Sequence, residues 1–204
     1  MDTGRYKLTD KAPKEAIESY DEFYKKIDDN DFSEIRIVHG SCVDQNVDAI
    51  VNAANRYLMS GGGICGAIFS KAGYSELGEA CKKYNVPLSD GDAVITTAFN
   101  IENAKYIIHA VGPDFNKTPD AFDKLYNAYY NSLKVLKENE LHSIAFPLIS
   151  SGIFGGSLDN PAIVSAKQCI KAYNDFIDNN IDYNLEVILC AYSENEFNSI
   201  KDLL

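Results

Sequence analysis

NAANRYLMSGGGICGAIFSKAG fills residues 52–73, and its reading decides the fold. Gly61, Gly62 and Gly63 stand in a row, Gly66 follows, and a helical pattern begins. Ahead of them, residues 49–53 form a strand-like run, apolar except for Asn52, as suits a strand covered on both faces. A strand, a glycine-rich loop and a helix in that order suit an α/β layered domain. Consecutive glycines let a backbone come close to something. A second cluster, Gly152, Gly155 and Gly156, stands between another apolar run (143–149) and another helical pattern (160–177). In α/β sheets the loops beyond the strand C-termini form the ligand crevice. Two such loops could offer N–H donors to one diphosphate; two plain tight turns are the competing reading.

Two familiar phosphate motifs do not fit. Gly61-x-Gly63-x-x-Gly66 matches the dinucleotide fingerprint in letters. However, six or seven residues separate it from the end of the strand, where a tight turn is needed. The region about 20 positions on, where an acidic residue should end a strand, reads KYNVPLSD and contains Pro87. No GxxxxGK[ST] occurs, which excludes a P-loop.

The remaining pattern is consistent with one α/β domain. Further strand-like runs cover residues 35–39, 93–98, 106–111 and 187–192. Helical patterns cover 64–72, closed by Gly73, then 75–84, and 118–137, opened by Thr118-Pro119-Asp120. Another opens at Asn160-Pro161, and Ser193 with Glu196 fits a capping box for a last short helix to Leu203. Residues 12–29 also carry helical spacing, as an N-terminal helical extension (1–33) ahead of a domain at 34–204.

The chain has 204 residues, 46% of them hydrophobic, which suffices for one folded core. Its formal net charge of −11 disfavours steering of nucleic acid or anionic membranes. The same charge requires a phosphate site here to be built mainly from backbone N–H groups. No apolar run reaches the ~18 residues of a membrane span, and the first 20 residues are polar, so a cytoplasmic protein is expected. Cys42, Cys65, Cys81, Cys169 and Cys190 are odd in number and form no CxxC, so reduced thiols are expected. His39, His109 and His142 are scattered, and neither a metal nor a cofactor is expected. His109, inside an apolar run, reads as a structural histidine satisfied internally.

VDAIVNAAN (47–55), GGGICGAI (61–68), YIIHAVGP (106–113) and PLISSGIFGGS (147–157) together resemble the macro domain family of ADP-ribose-binding modules. The likeness spans about residues 34–200. It implies a three-layer α/β/α domain with a mixed, largely parallel central sheet and a cleft for ADP-ribose. Under the resemblance Asn55 holds the distal ribose, and Asn52 shapes the loop. Gly61, Gly62, Gly63 and Ile64 pass under the distal ribose and phosphate. Ser150, Ser151, Gly152, Ile153 and Phe154 wrap the diphosphate. Phe154 packs on the distal ribose and Tyr192 lies beside the adenine, although either aromatic could be a packing residue. Asn55, Gly63 and Phe154 are the candidate catalytic positions.

Two departures stand out. Where most of the family has Gly-Asp-Ile, whose Asp reads the adenine amino group, this chain has Gly40, Ser41 and Cys42, which gives a shorter, neutral acceptor. Where a hydrolase branch has Asp in GGGVDG, this chain has Cys65. A helix N-terminus can lower a thiol pKa, so Cys65 is a candidate nucleophile. The bland alternative is a small residue filling the first helical turn.

Three functions follow from the resemblance. One is hydrolysis of ADP-ribosyl adducts (mono-ADP-ribosylated protein or O-acetyl-ADP-ribose) by water attack without the Asp. Another is a reader that binds ADP-ribose and does no chemistry. The third is a binder of another nucleotide-like ligand, suggested by Ser41. The implied partners are ADP-ribose or an ADP-ribosylated protein, with nucleic acid entering only as an ADP-ribosylated substrate and no membrane involved.

Overall fold

The computed structural model describes residues 33–204. The expected N-terminal helical extension lies outside the described residues except for Ser33. That residue already belongs to the domain: its Oγ donates to Tyr183 O (3.2 Å) and accepts from Leu185 N (3.1 Å).

The elements run β1 (Glu34–His39), β2 (Val47–Ala54), α1 (Gly63–Ala72), α2 (Tyr74–Cys81), β3 (Ala93–Thr97), β4 (Ala104–Val111), α3 (Phe122–Glu138), β5 (Ser143–Pro147), α4 (Pro161–Asp178), β6 (Glu186–Ala191) and α5 (Glu194–Ile200). They build one six-stranded sheet of order β1-β6-β5-β2-β4-β3. All pairings are parallel except β3 with β4. The sheet is thus mixed and largely parallel.

The period of two along each strand sorts side chains into two layers. Ala49 and Val51 of β2, Ile144 and Phe146 of β5, and Val187 and Leu189 of β6 face a core shared with Leu125, Leu133 and Leu136 of α3, Cys169 and Phe176 of α4 and Ile200 of α5. Ile50, Ala145 and Ile188, the intervening residues, face Ile68 and Phe69 of α1 and Leu77 of α2. Helices on both faces explain why the strands read as continuous apolar runs.

Boundaries shift where local chemistry intervenes. β5 stops at Pro147, not at 149, since proline donates no ladder hydrogen bond. The third helix begins at Phe122, not at Thr118. The segment before it turns on Asp114, whose carbonyl accepts from Lys117 N and Thr118 N, and the helix opens from Ala121 without a side-chain cap. Thr118-Pro119 therefore marks a turn. The capping box of α5 forms as expected: Ser193 Oγ accepts from Glu196 N, and Glu196 Oε2 accepts from Ser193 N.

His109 sits in β4 directly across from Asn52 of β2. Asn52 Nδ2 donates to His109 Nδ1 (3.1 Å), which leaves the ring proton on Nε2, facing Thr96 Oγ1 (2.9 Å). Both histidine and asparagine are buried, and burial lowers the imidazole pKa to about 4. The ring is neutral and internally satisfied, as the structural reading requires. Asn52 ties two central strands together and does not form the loop.

Candidate functional site

β1, β6, β5 and β2 are parallel neighbours, so their C-termini open along one edge of the sheet. The segments that follow them line one cleft of about 630 Å³. Along that edge the order is Gly40, Ser41 and Cys42 after β1; Tyr192 and Glu196 after β6; Leu148 and residues 150–154 after β5; and Asn55 with Gly61, Gly62 and Gly63 after β2. Ile64 and Cys65, from the first turn of α1, complete the β2 side. All fourteen residues proposed from the sequence as ligand-binding line this cleft.

The glycines separate into two kinds. Some are required by the protein itself. A Cβ at Gly66 would stand 2.6 Å from Gly61 O, and one at Gly156 would stand 2.8 Å from Asn116 N. Gly62 and Gly152 differ from these. A Cβ on either would meet no protein atom within 4 Å, and Gly62, at φ −85° and ψ 179°, lies in extended backbone open to any residue. Packing accounts for glycine at neither position, and backbone strain does not account for Gly62, whereas an incoming ligand held against the backbone does.

The same two positions open N–H donors to the cleft. Gly62 caps α1 without a side-chain hydrogen bond, and Gly152 does the same for the 3-10 turn Ile153–Gly155. The first N–H groups of a helix have no intrahelical partner, and a cap that leaves them open makes an anion site.

The second loop rests on a rigid base. Tyr129 Oη accepts from Ile149 N (2.9 Å) and lies 2.7 Å from Ser165 Oγ, which donates to Ile149 O (2.6 Å). Ser150 Oγ donates to Pro113 O (2.8 Å), and Phe115 N donates to Phe154 O (2.9 Å). Tyr129 and Ser165 were not legible as supports of the site, because they sit mid-helix among core residues.

Asn55 is committed to its own turn. Oδ1 accepts from Tyr57 N (3.1 Å) and Met59 N (3.2 Å), and Nδ2 donates to Met59 O (2.6 Å). Loop shaping, expected of Asn52, is thus performed by Asn55. One amide hydrogen of Asn55 remains for the cleft.

Tyr192 is 78% exposed, Phe154 37% and Ile153 91%. Both aromatics line the cleft, and neither belongs to the buried core, although Phe154 is largely covered. Cys65 is buried, its Sγ 3.6 Å from Met59 O. Burial raises its pKa, with the Asn52 amide and the Gly61 backbone opposing. Despite the adjacent helix N-terminus, Cys65 is a thiol at neutral pH. Ser41 Oγ accepts weakly from Val43 N (3.4 Å). Sequence reasoning assigned Glu196 to a cap and missed its place in the cleft, because the strand order that brings α5 there is not legible from residue spacing. Among the described residues no group of three or more His, Cys, Asp and Glu could hold a metal ion, and no helix is long and apolar enough to cross a membrane.

Comparison with known proteins agrees with this geometry. The family described as Macro domain matches residues 51–164. The O-acetyl-ADP-ribose deacetylase of Escherichia fergusonii is 43% identical over 149 residues, covering 71% of this chain and 81% of that one. The Oceanobacillus iheyensis macrodomain with ADP superposes with a TM-score of 0.75 at 34% identity, covering 86% and 91% of the two chains. The Trypanosoma brucei macrodomain in complex with ADP-ribose superposes at 0.72 with 27% identity, covering 87% and 72%.

Proposed function

This chain belongs to the macro domain family, and from that premise we propose that it binds ADP-ribose and hydrolyses ADP-ribosyl adducts. The observation that carries the reading is the pair Gly62 and Gly152, glycines that no packing contact requires, on the two loops of one cleft. Their uncapped N–H groups suit a diphosphate in a chain of net charge −11. The solved relatives holding ADP and ADP-ribose support the ligand, and the deacetylase relative supports the chemistry.

The site's own groups limit the mechanism. At the Asn55 end, the lining residues among those described include no carboxylate and no histidine, and Cys65 is protonated. Water attack then relies on the ligand. The water oxygen bonds to the electrophilic carbon, which is the anomeric carbon of a protein adduct or the acetyl carbonyl of O-acetyl-ADP-ribose. The bond to the leaving atom breaks, and a phosphate oxygen takes the water's proton and passes it to the leaving group. Asn55, Gly63 and Phe154 orient the sugar for this step. Free thiols at all five cysteines suit a cytoplasmic location.

The missing base favours a second reading, a non-catalytic reader. The deciding experiment incubates the protein with a mono-ADP-ribosylated protein and with O-acetyl-ADP-ribose, following products by mass spectrometry. Calorimetric titration with ADP-ribose runs alongside. Binding with turnover supports the hydrolase, binding without turnover establishes the reader, and no binding at millimolar ligand overturns both.

A further inference from the structure

Glu196 is the one charged side chain among the described residues that line the cleft. A carboxylate in a diphosphate cleft needs a reason, since it repels the phosphates it would sit beside. Its position supplies one. The strand order places the segments after β1 and β6 at one end of the cleft and the loop after β2 at the other. Three strand spacings of ~4.8 Å separate those ends by about 14 Å. With the diphosphate between the two glycine loops and the distal ribose at Asn55, the nucleobase falls at the β1/β6 end. That end carries the exposed Tyr192 ring, suited to stacking on a flat base.

Only half of the Glu196 carboxylate is used by the fold. Oε2 accepts from Ser193 N (2.9 Å) and Ser193 Oγ (3.1 Å). Those bonds fix the side chain in place, and Oε1 has no partner among the described residues. The result is an immobilised, half-buried acceptor in the same end of the cleft as the Tyr192 ring. The neighbouring segment after β1 offers Ser41 Oγ, already engaged with Val43 N.

We propose that Glu196 is the specificity-determining residue for the base, its Oε1 accepting from the exocyclic amino group of adenine and rejecting bases that present an oxygen there. The proposal rests on the ADP-ribose reading. It gives this chain a carboxylate for the amino group from the end of β6, next to the β1 end that carries Ser41, held by a capping box in which glutamine also serves at the third helical position.

The test compares ADP-ribose with its hypoxanthine counterpart, inosine diphosphate ribose, which replaces the amino group by an oxygen. Affinities of both are measured by calorimetry for wild type and for Glu196→Gln. A hydrogen bond to a charged group corresponds to about 10- to 100-fold in affinity, so wild type should prefer ADP-ribose by that factor. Glu196→Gln keeps the cap, with the amide oxygen on Ser193 N and the NH2 group turned to the base. The preference should then collapse or invert. The ratio is read within one protein preparation, so a loss of folded fraction does not mimic the effect. Equal wild-type affinities, or an unchanged ratio in Glu196→Gln, overturn the proposal while leaving ADP-ribose binding intact. Failure of wild type to bind either ligand overturns the functional reading itself.

Discussion

The side-chain amide of Asn55 holds the main chain of Met59 from both sides, donating from Nδ2 to Met59 O at 2.6 Å and accepting at Oδ1 from Met59 N at 3.2 Å. One residue thus sets the course of the loop that leads to Gly61, Gly62 and Gly63, while presenting its last amide hydrogen to the cleft.

Asn55→Ala removes all of these bonds. Each is worth ~1 kcal/mol, and the loop that carries the glycines loses its fixed path. ADP-ribose affinity should fall at least ~10-fold, and turnover more steeply, since misplaced reacting atoms can cost ~10²-fold. Asn55→Asp keeps the acceptors for Tyr57 N and Met59 N but loses both amide hydrogens and sets a carboxylate oxygen against Met59 O, so its loop should loosen in part while its added charge weakens diphosphate binding. Calorimetry and single-turnover rates check both. Wild-type binding by Asn55→Ala would remove Asn55 from the site.

The glycine pair gives a sharper separation of folding from binding. Gly62→Ala and Gly152→Ala place a methyl group where no protein atom lies within 4 Å. The unfolding free energy of Gly62→Ala should stay within about 0.5 kcal/mol of wild type, that of Gly152→Ala should fall by ~1 kcal/mol because its ψ of −126° lies outside the regions alanine favours, and ADP-ribose affinity should drop at least tenfold in both. Gly66→Ala drives its Cβ to 2.6 Å from Gly61 O and should destabilise by ~1–3 kcal/mol. Urea titration beside calorimetry decides. If Gly62→Ala and Gly152→Ala bind normally, these glycines are not the ligand's contact surface.

Much of this was legible before any coordinates. Continuous apolar runs such as 187–192 marked strands covered on both faces, and Ser193 with Glu196 marked a helix start, because both signals are local. What failed was the partner of each side chain across the sheet. Asn52 and Asn55 are three residues apart in one motif, yet the first bonds to His109 on β4 and the second to its own turn. Thr118-Pro119 carried a helix-start signal that the turn on Asp114 overrode. Glu196 read as a cap and is one, but the strand order also places it in the cleft, and strand order depends on long-range pairing that no local pattern encodes.

The buried His109 predicts acid sensitivity. Its folded pKa is about 4 and its unfolded value ~6.5. Between those values the unfolded chain binds a proton that the folded chain does not, so stability rises with pH. The contribution is intact above pH 6.5 and is lost progressively as pH falls to about 4, totalling ~3 kcal/mol. The imidazole resonances of the folded protein should accordingly include one that does not titrate between pH 7 and 5. A His109 signal titrating near 6.5 would contradict the closed Asn52–His109–Thr96 arrangement.

Cys65 tests whether catalysis is covalent. It occupies the first turn of α1 and lines the cleft, where a thiolate could attack the anomeric carbon. Its surroundings oppose that role. The thiol is buried, its Sγ lies 3.6 Å from Met59 O, and burial holds its pKa above the ordinary thiol value. The buried His109 is bonded to Asn52 and Thr96, with Cys81 Sγ 3.9 Å away, and so is not free to serve as a base for Cys65. A Cys65→Ala variant should retain ADP-ribose binding and most of any hydrolysis. The pH–rate profile of wild type should show no rise attributable to thiol ionisation up to pH 8, because a raised pKa keeps the thiolate fraction small. Intact-mass analysis during turnover should find no ADP-ribosyl adduct on the protein. An adduct mapped to Cys65, together with an inactive Cys65→Ala that still binds ADP-ribose, would establish the covalent route and displace water attack assisted by the ligand's own phosphate.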